Sequence, residues 1–158
     1  MASLIDTNIL VYRFDPRDPA RQKVASDVLR SGITGDSLVV AHQSIVEFIA
    51  AATRPRVDLG NAPLLLHADA FQEAEGFMAQ FPVLYPDREV LLTAMRGSAA
   101  YGLSWFDAHL WAYAEVNGLP EILSEDFEHG RHYGKVRVVN PFLAAADGVH
   151  ELPALYSE

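Results

Sequence analysis

A chain of 158 residues fits one domain and leaves little room for a second. Half of the residues are hydrophobic and 21% are charged, an ordinary globular balance that excludes a wholly disordered chain. The formal charge of −9 weighs against a generic nucleic-acid surface, because affinity for phosphates comes mainly from Lys and Arg.

The apolar run Ala2–Ile5 reads as a buried strand that ends in the polar turn Asp6-Thr7-Asn8. It is too short, and too soon interrupted by Asp6 and Asn8, to be a signal-peptide core. Ile9–Phe14 reads as a helix, and a second covers about Ala20–Arg30 with Gly32 as its stop. Leu38–Ala41 is a strand, and Gln43–Thr53 is a helix with Ile45, Phe48, Ile49 and Ala52 on one face. Pro63–Gln80 reads as a longer helix, Pro82–Tyr85 as a short strand and Asp87–Ala100 as a helix closing near Gly102. Trp105–Val116 is helical, with Phe106, Leu110 and Tyr113 along one stripe and Asn117-Gly118 as the stop. Glu121–Leu123 and Val136–Val139 are strands, and Pro141 opens a tail with no assignment. Strands alternating with helices predict an α/β fold with a mostly parallel central sheet flanked by helices. The expected organisation is one domain over 1–143 and an unassigned tail over 144–158. No run approaches the ~20 apolar residues that span a bilayer, and cysteine is absent. A cytoplasmic protein with no membrane segment is expected.

Four acids stand out, each with an ordinary alternative explanation. Asp6 follows the first strand and is placed to cap the helix after it. Glu47 and Asp107 complete capping-box patterns with Ser44 and Ser104. Asp126 follows the strand Glu121–Leu123, and Glu125 is placed to take any role given to it. In a parallel sheet, Asp6, Glu47 and Asp126 fall at one edge, where open α/β sheets bind ligands. Carboxylates gathered there repel one another unless protons or cations neutralise them, and oxygen-only ligands suit Mg²⁺ or Mn²⁺. Spacing alone does not bring Asp107 into this group. No phosphate-cradling glycine loop, G-x-S-x-G elbow or H-E-x-x-H motif occurs. His129 and His132 read as parts of a solvated loop, and Trp105, Trp111 and Tyr113 as core.

At these positions the chain resembles the PIN-domain family, and especially the VapC toxins. Four blocks carry the likeness in order: Leu4-Ile5-Asp6-Thr7-Asn8-Ile9-Leu10, Ser44-Ile45-Val46-Glu47-Phe48, Ser104-Trp105-Phe106-Asp107-Ala108, and Leu123 to Gly130 followed by Val138-Val139-Asn140-Pro141-Phe142. Ser124 departs from the Thr of many relatives but keeps the hydroxyl.

The resemblance implies that Asp107 joins the cluster and that the catalytic group is Asp6, Glu47, Asp107 and Asp126. Asp6 and Asp107 are the expected direct ligands of one or two Mg²⁺ or Mn²⁺ ions, with Thr7, Asn8 and Ser124 orienting carboxylates. It implies an endoribonuclease of a toxin–antitoxin pair that hydrolyses RNA phosphodiesters with a metal-activated water. The partners it implies are an RNA substrate, a cognate antitoxin and a second copy of the chain in a homodimer. Arg13, Arg54, Arg56, Arg131, Lys135 and Arg137 are candidate phosphate contacts. Two rival readings are a non-enzymatic binding module of the same fold and an aspartyl-nucleophile phosphatase. The phosphatase wants a second Asp two positions after the first, where this chain has Asn8.

Overall fold

In the computed structural model, which describes residues 2–146, the opening apolar run forms β1 (Ser3–Ile5) and turns at Asp6 into α1 (Thr7–Tyr12). α2 (Pro19–Gly35) begins where the Asp18 carboxylate accepts from the Arg21 N–H, with Pro19 in the first turn. β2 (Leu38–Ala41) and α3 (His42–Thr53) follow, then a 3-10 turn at Val57–Leu59 and α4 (His67–Gln80). β3 (Val83–Leu84), α5 (Arg88–Tyr101) and α6 (Trp105–Val116) come next. β4 (Glu121–Leu123), β5 (His132–Tyr133), β6 (Val136–Val139) and α7 (Pro141–Ala146) complete the described chain.

The strands form one sheet in the order β3-β2-β1-β4-β6-β5. All neighbours are parallel except β5, which runs antiparallel to β6. The fold is thus the α/β architecture with a mostly parallel sheet that the alternation predicts. Side chains along each strand alternate between two cores. Ile5, Val40, Leu123 and Val139 join Ile9, Val28, Phe48 and Phe77 on one face. Leu4, Val39, Ile122 and Val138 join Val90, Leu110, Trp111 and Tyr113 on the other. With helices on both faces, the strands need apolar residues at most positions, which is why they read largely as continuous apolar runs.

Three expectations are corrected. α2 passes through Gly32 and ends at Gly35, with Asp36 in the left-handed region. A Cβ on Gly32 would stand 2.2 Å from Leu38 Cδ1, so this glycine admits the strand rather than stopping the helix. α4 starts at His67 instead of Pro63. The Leu65 N–H is spent on the Ala52 carbonyl at 2.9 Å, while Leu64 and Leu65 pack against the core, which ties this segment to α3. His132 lies in β5 rather than in a loop, paired with Arg137 across the two-residue turn Gly134-Lys135. The segment from Pro141, which the sequence left unassigned, forms α7, held by Phe142 buried edge-on against Tyr12. The helix crosses the boundary expected after residue 143, and the rest of the expected tail, 147–158, lies outside the described residues.

Two helical glycines separate packing from propensity. A Cβ on Gly97 of α5 would stand 2.2 Å from Trp111 Cζ3, and Trp111 is fixed by its indole N–H donating to the Tyr133 carbonyl at 2.8 Å. Gly76 of α4 has open space around it. Gly97→Ala is expected to destabilise the fold by about 1–2 kcal/mol and Gly76→Ala to stabilise it by up to about 1 kcal/mol. Urea midpoints measure both, and equal shifts of the same sign would contradict this account of α5 against α6.

Candidate active site

Sheet register assembles the site. Ile5 lies opposite Val40 on one side and Leu123 on the other, so the residues that follow, Asp6, Ala41 and Ser124, share the carboxyl edge. The chain crosses from β3 at one end of the sheet to β4 beside β1, which makes the β1–β4 crevice a switch point of the topology. The Asp6 N–H continues the ladder onto the Leu123 carbonyl at 3.0 Å, and the Ser124 N–H does the same onto Val139.

Asp6 occupies the capping position of α1, but its side chain makes no cap hydrogen bond. It accepts a short hydrogen bond from the Ser124 hydroxyl instead. Ser124 is wholly buried, and its oxygen also accepts the Asp126 N–H at 3.0 Å, so one serine fixes both acids. Asn8 donates to the Asp126 carboxylate at 2.8 Å. Thr7 reaches no acid and donates to the buried Ser44 hydroxyl at 3.2 Å, tying α1 to α3. That bond corrects the capping-box reading of Glu47: α3 begins at His42, Ser44 sits inside it, and its N-cap residue Ala41 has no side-chain cap. At the second pattern only the serine half forms, with Ser104 Oγ accepting the Asp107 N–H at 3.4 Å as the N-cap of α6.

Asp6 is only 6% exposed. Burial pushes its pKa from 3.8 to about 7 against the opposing Ser124 hydrogen bond, and the charges of Asp126 and Asp107 raise it further. Burial also raises Asp126, with the charges of Asp107 and Glu125 adding to the shift and its hydrogen bond with Asp6 opposing it. Asp6, Asp107 and Asp126 therefore feel one another. Glu47 stands apart from this trio. Its carboxylate accepts from Gln43 Nε2 at 2.6 Å, and the same nitrogen donates to the Phe106 carbonyl at 3.0 Å. The two adjacent acids differ in their contacts: Glu125 is held by Tyr12 and by Arg21 Nε at 3.0 Å, whereas Asp126 shares Ser124 with Asp6.

Sequence reasoning missed two residues beside these acids, Gln43 and His109, which bond to each other. Gln43 sits one turn before Glu47, and that spacing was the available signal for it; His109, two residues after Asp107, has no such helical spacing to announce it. Trp105 was read as core but is 41% exposed, and Phe106 of the expected stripe is 65% exposed. Among the described residues, none of the basic candidates contacts the four acids. Arg131 pairs with Glu128, Arg56 donates to the Ala51 carbonyl, and Arg13 lies over the Phe14 ring.

The donor set can be tested against a divalent ion. Among the described residues, none of the four acids is ion-paired. No three His, Asp or Glu side chains converge into a ready-made coordination sphere there either. A hard cation that keeps several waters and takes one or two carboxylates fits such a group, whereas a fully caged ion does not. The buried charge on Asp6 is what such a cation would neutralise.

Residues 3–135 match the model of the PIN domain family. No curated protein matches the chain. Among solved structures, a chain of a toxin–antitoxin complex from Klebsiella pneumoniae is similar at 17% identity and a TM-score of 0.62, over 89% of this chain and 98% of that one. A chain of DNA-bound VapBC from Salmonella typhimurium has 14% identity and a TM-score of 0.63, covering 89% and 99%. A sarcin–ricin-loop-cleaving VapC toxin of Mycobacterium tuberculosis has 12% identity and a TM-score of 0.58, covering 79% and 90%.

The raised Asp6 pKa fixes a sign for stability. The folded chain holds the Asp6 proton over the window between 3.8 and about 7, where the unfolded chain has released it. The stability this proton contributes is complete below the lower value and is lost as pH rises through the upper one. In metal-free buffer, Asp6→Asn is expected to match the wild type near pH 4 and to exceed it by up to roughly 4 kcal/mol near pH 8. Thermal melts across that range decide it. A loss of about 1 kcal/mol at every pH would instead make Asp6 a simple helix cap.

Proposed function

Because this chain belongs to the PIN-domain family, we propose that it is a divalent-metal-dependent endoribonuclease and the toxin of a type II toxin–antitoxin pair. The observation that carries this reading is the buried Asp6 carboxylate at the end of the central strand, faced by Asp107 and Asp126 and, among the described residues, paired with no cation. The resemblance of the fold to VapC toxins supports the biological half of it.

In this reading Asp6 and Asp107 hold Mg²⁺ or Mn²⁺, and Asp126 and Glu47 complete the group directly or through waters. A bound divalent ion supplies Lewis-acid activation of water and neutralises charge developing on the phosphodiester. The chain's own residues do the positioning. Ser124 locks the Asp6 carboxylate and the Asp126 backbone, Asn8 aims the Asp126 carboxylate, and Gln43 holds Glu47 at the rim. Arg21 and Tyr12 draw Glu125 away, so its charge does not compete for the ion. Burial of Asp6 excludes water from one side of the site, where electrostatic interactions are stronger for it. A cytoplasmic RNA pool and a twofold homodimer complete the picture.

The decisive measurement is cleavage of RNA with Mg²⁺ or Mn²⁺. Asp6→Asn and Asp107→Asn keep side-chain shape, remove ligand charge and are expected to cut the rate on the order of 10²-fold or more. Asp126→Asn is expected to fall with them, while Glu125→Gln keeps most activity. Full activity in excess EDTA or an active double mutant would sink the metal mechanism. Tight RNA binding without cleavage would favour the non-enzymatic binding module.

A nuclease of this kind is harmful to its own cell unless something blocks it. The simplest inhibitor for an unpaired acid cluster is an Arg or Lys side chain that replaces the ion's charge with charge-assisted hydrogen bonds. Co-expression with the product of a neighbouring small gene is expected to yield a stable complex whose RNA cleavage is abolished. A complex as active as the free chain, or no complex, would leave a ribonuclease with no toxin role.

A further inference from the structure

Beside the acids runs a groove of about 290 Å³ whose lining includes Trp105, Phe106, Gln43, His109, Tyr113 and Glu47. No Lys or Arg belongs to that lining. Trp105 and Phe106 open toward solvent at the start of α6. Tyr113, at 0% exposure, carries a hydroxyl with no hydrogen-bond partner. The Gln43 main chain faces that hydroxyl but outside bonding geometry. Buried phenols ordinarily find a partner, so the groove lacks the group that completes it.

The lining discriminates among occupants. A phosphate finds no Lys or Arg there and meets Glu47. An aliphatic side chain from a partner would fill the apolar walls yet leave the Tyr113 hydroxyl as unpaired as before. A flat, neutral ring with a polar edge satisfies both walls and hydroxyl. The groove is also continuous with the acid site, since Glu47 belongs to its wall and Phe106 directly precedes Asp107. Resting on the ribonuclease reading, we propose that this groove receives an unpaired nucleobase of the cleaved RNA strand, stacked on Trp105 with its polar edge toward the Tyr113 hydroxyl. A base locked in a duplex cannot enter, so the groove selects single-stranded or looped RNA.

The test uses the full chain in an Asp107→Asn background and a fluorescent single-stranded RNA of about ten nucleotides, within the size such sites engage. Trp105→Ala is expected to raise Kd about tenfold, the loss of one base–aromatic stack. Tyr113→Phe is expected to raise Kd several-fold while its melting temperature stays at or above that of the parent, because the lost hydroxyl bonds to nothing in the free chain. The same RNA with one base removed, the gap walked along the strand, should at one position bind the parent as weakly as intact RNA binds Trp105→Ala, and Trp105→Ala should add no further loss there. Equal affinity for all variants and all gapped strands overturns the proposal. So does a Trp105→Ala chain that binds RNA normally but loses a homodimer or an antitoxin complex, which would make the groove a protein interface. Base-dependent binding by an otherwise unaltered chain that never cleaves RNA with Mg²⁺ or Mn²⁺ would remove the ribonuclease reading and leave the base groove standing.

Discussion

An ionisable carboxylate buried at the end of the central strand is the constraint around which the rest of this chain is arranged. β1 is flanked by β2 and β4, its Leu4 and Ile5 are wholly buried, and Asp6 is the next residue. A charge in that position is costly unless something compensates it. The chain provides one buried hydroxyl, Ser124, and, among the described residues, no ion-paired cation. Asp107 and Asp126 add negative charge near Asp6, so the fold stores unfavourable electrostatic energy at one point of its surface. The fold tolerates this because sheet register fixes Asp6 and Ser124 together through backbone hydrogen bonds that do not depend on charge.

Most of the fold was legible because its periodicities are clean. Buried parallel strands read as short continuous apolar runs, and amphipathic helices announce themselves by their stripes. The misreadings came where one residue type serves two physical purposes. Gly32 looks like a helix stop because glycine favours helix ends, yet here it makes room for Leu38. Ser44 looks like a cap, yet it is a buried partner for Thr7, thirty-seven positions away. β5 has only two residues, and so short a strand has no period to detect; its real signal was the Gly134-Lys135 turn.

The site was legible in part, for a related reason. Asp6 and Asp126 follow strands, so a parallel sheet alone predicts that they meet. Asp107 follows α5 instead of a strand, and only the family resemblance pointed to it. Glu125 and Asp126 are adjacent acids with equal local claims. What separates them is Arg21, one hundred and four positions distant, which pairs with the first and leaves the second to the cluster. Trp105, Trp111 and Tyr113 share a helix, and helical spacing cannot tell a ring packed on the sheet from one opening into a groove. That distinction depends on which neighbouring helix covers the face, α5 over Trp111 and nothing over much of Trp105.

The acidic balance of the chain, with 12 Lys and Arg against 21 Asp and Glu, then takes on a different meaning. Arg17, Arg21, Lys23, Arg30 and Arg131 are all engaged with carboxylates of the chain itself. Cations so occupied contribute little to phosphate binding, which normally dominates affinity for nucleic acid. On the proposed ribonuclease reading, RNA is held largely by other means. Divalent ions at the acids would reverse the local field, and aromatic rings beside them offer stacking that needs no positive charge. Both resources lie at the same end of the molecule, at the start of α6, where Trp105 and Phe106 lead directly into Asp107. On that reading, an acidic surface elsewhere repels the phosphate backbone, so an RNA strand would gain most where a bound cation and a stacking surface occur together. The negative charge that first argues against a nuclease would thereby direct productive binding to the place where the carboxylates gather.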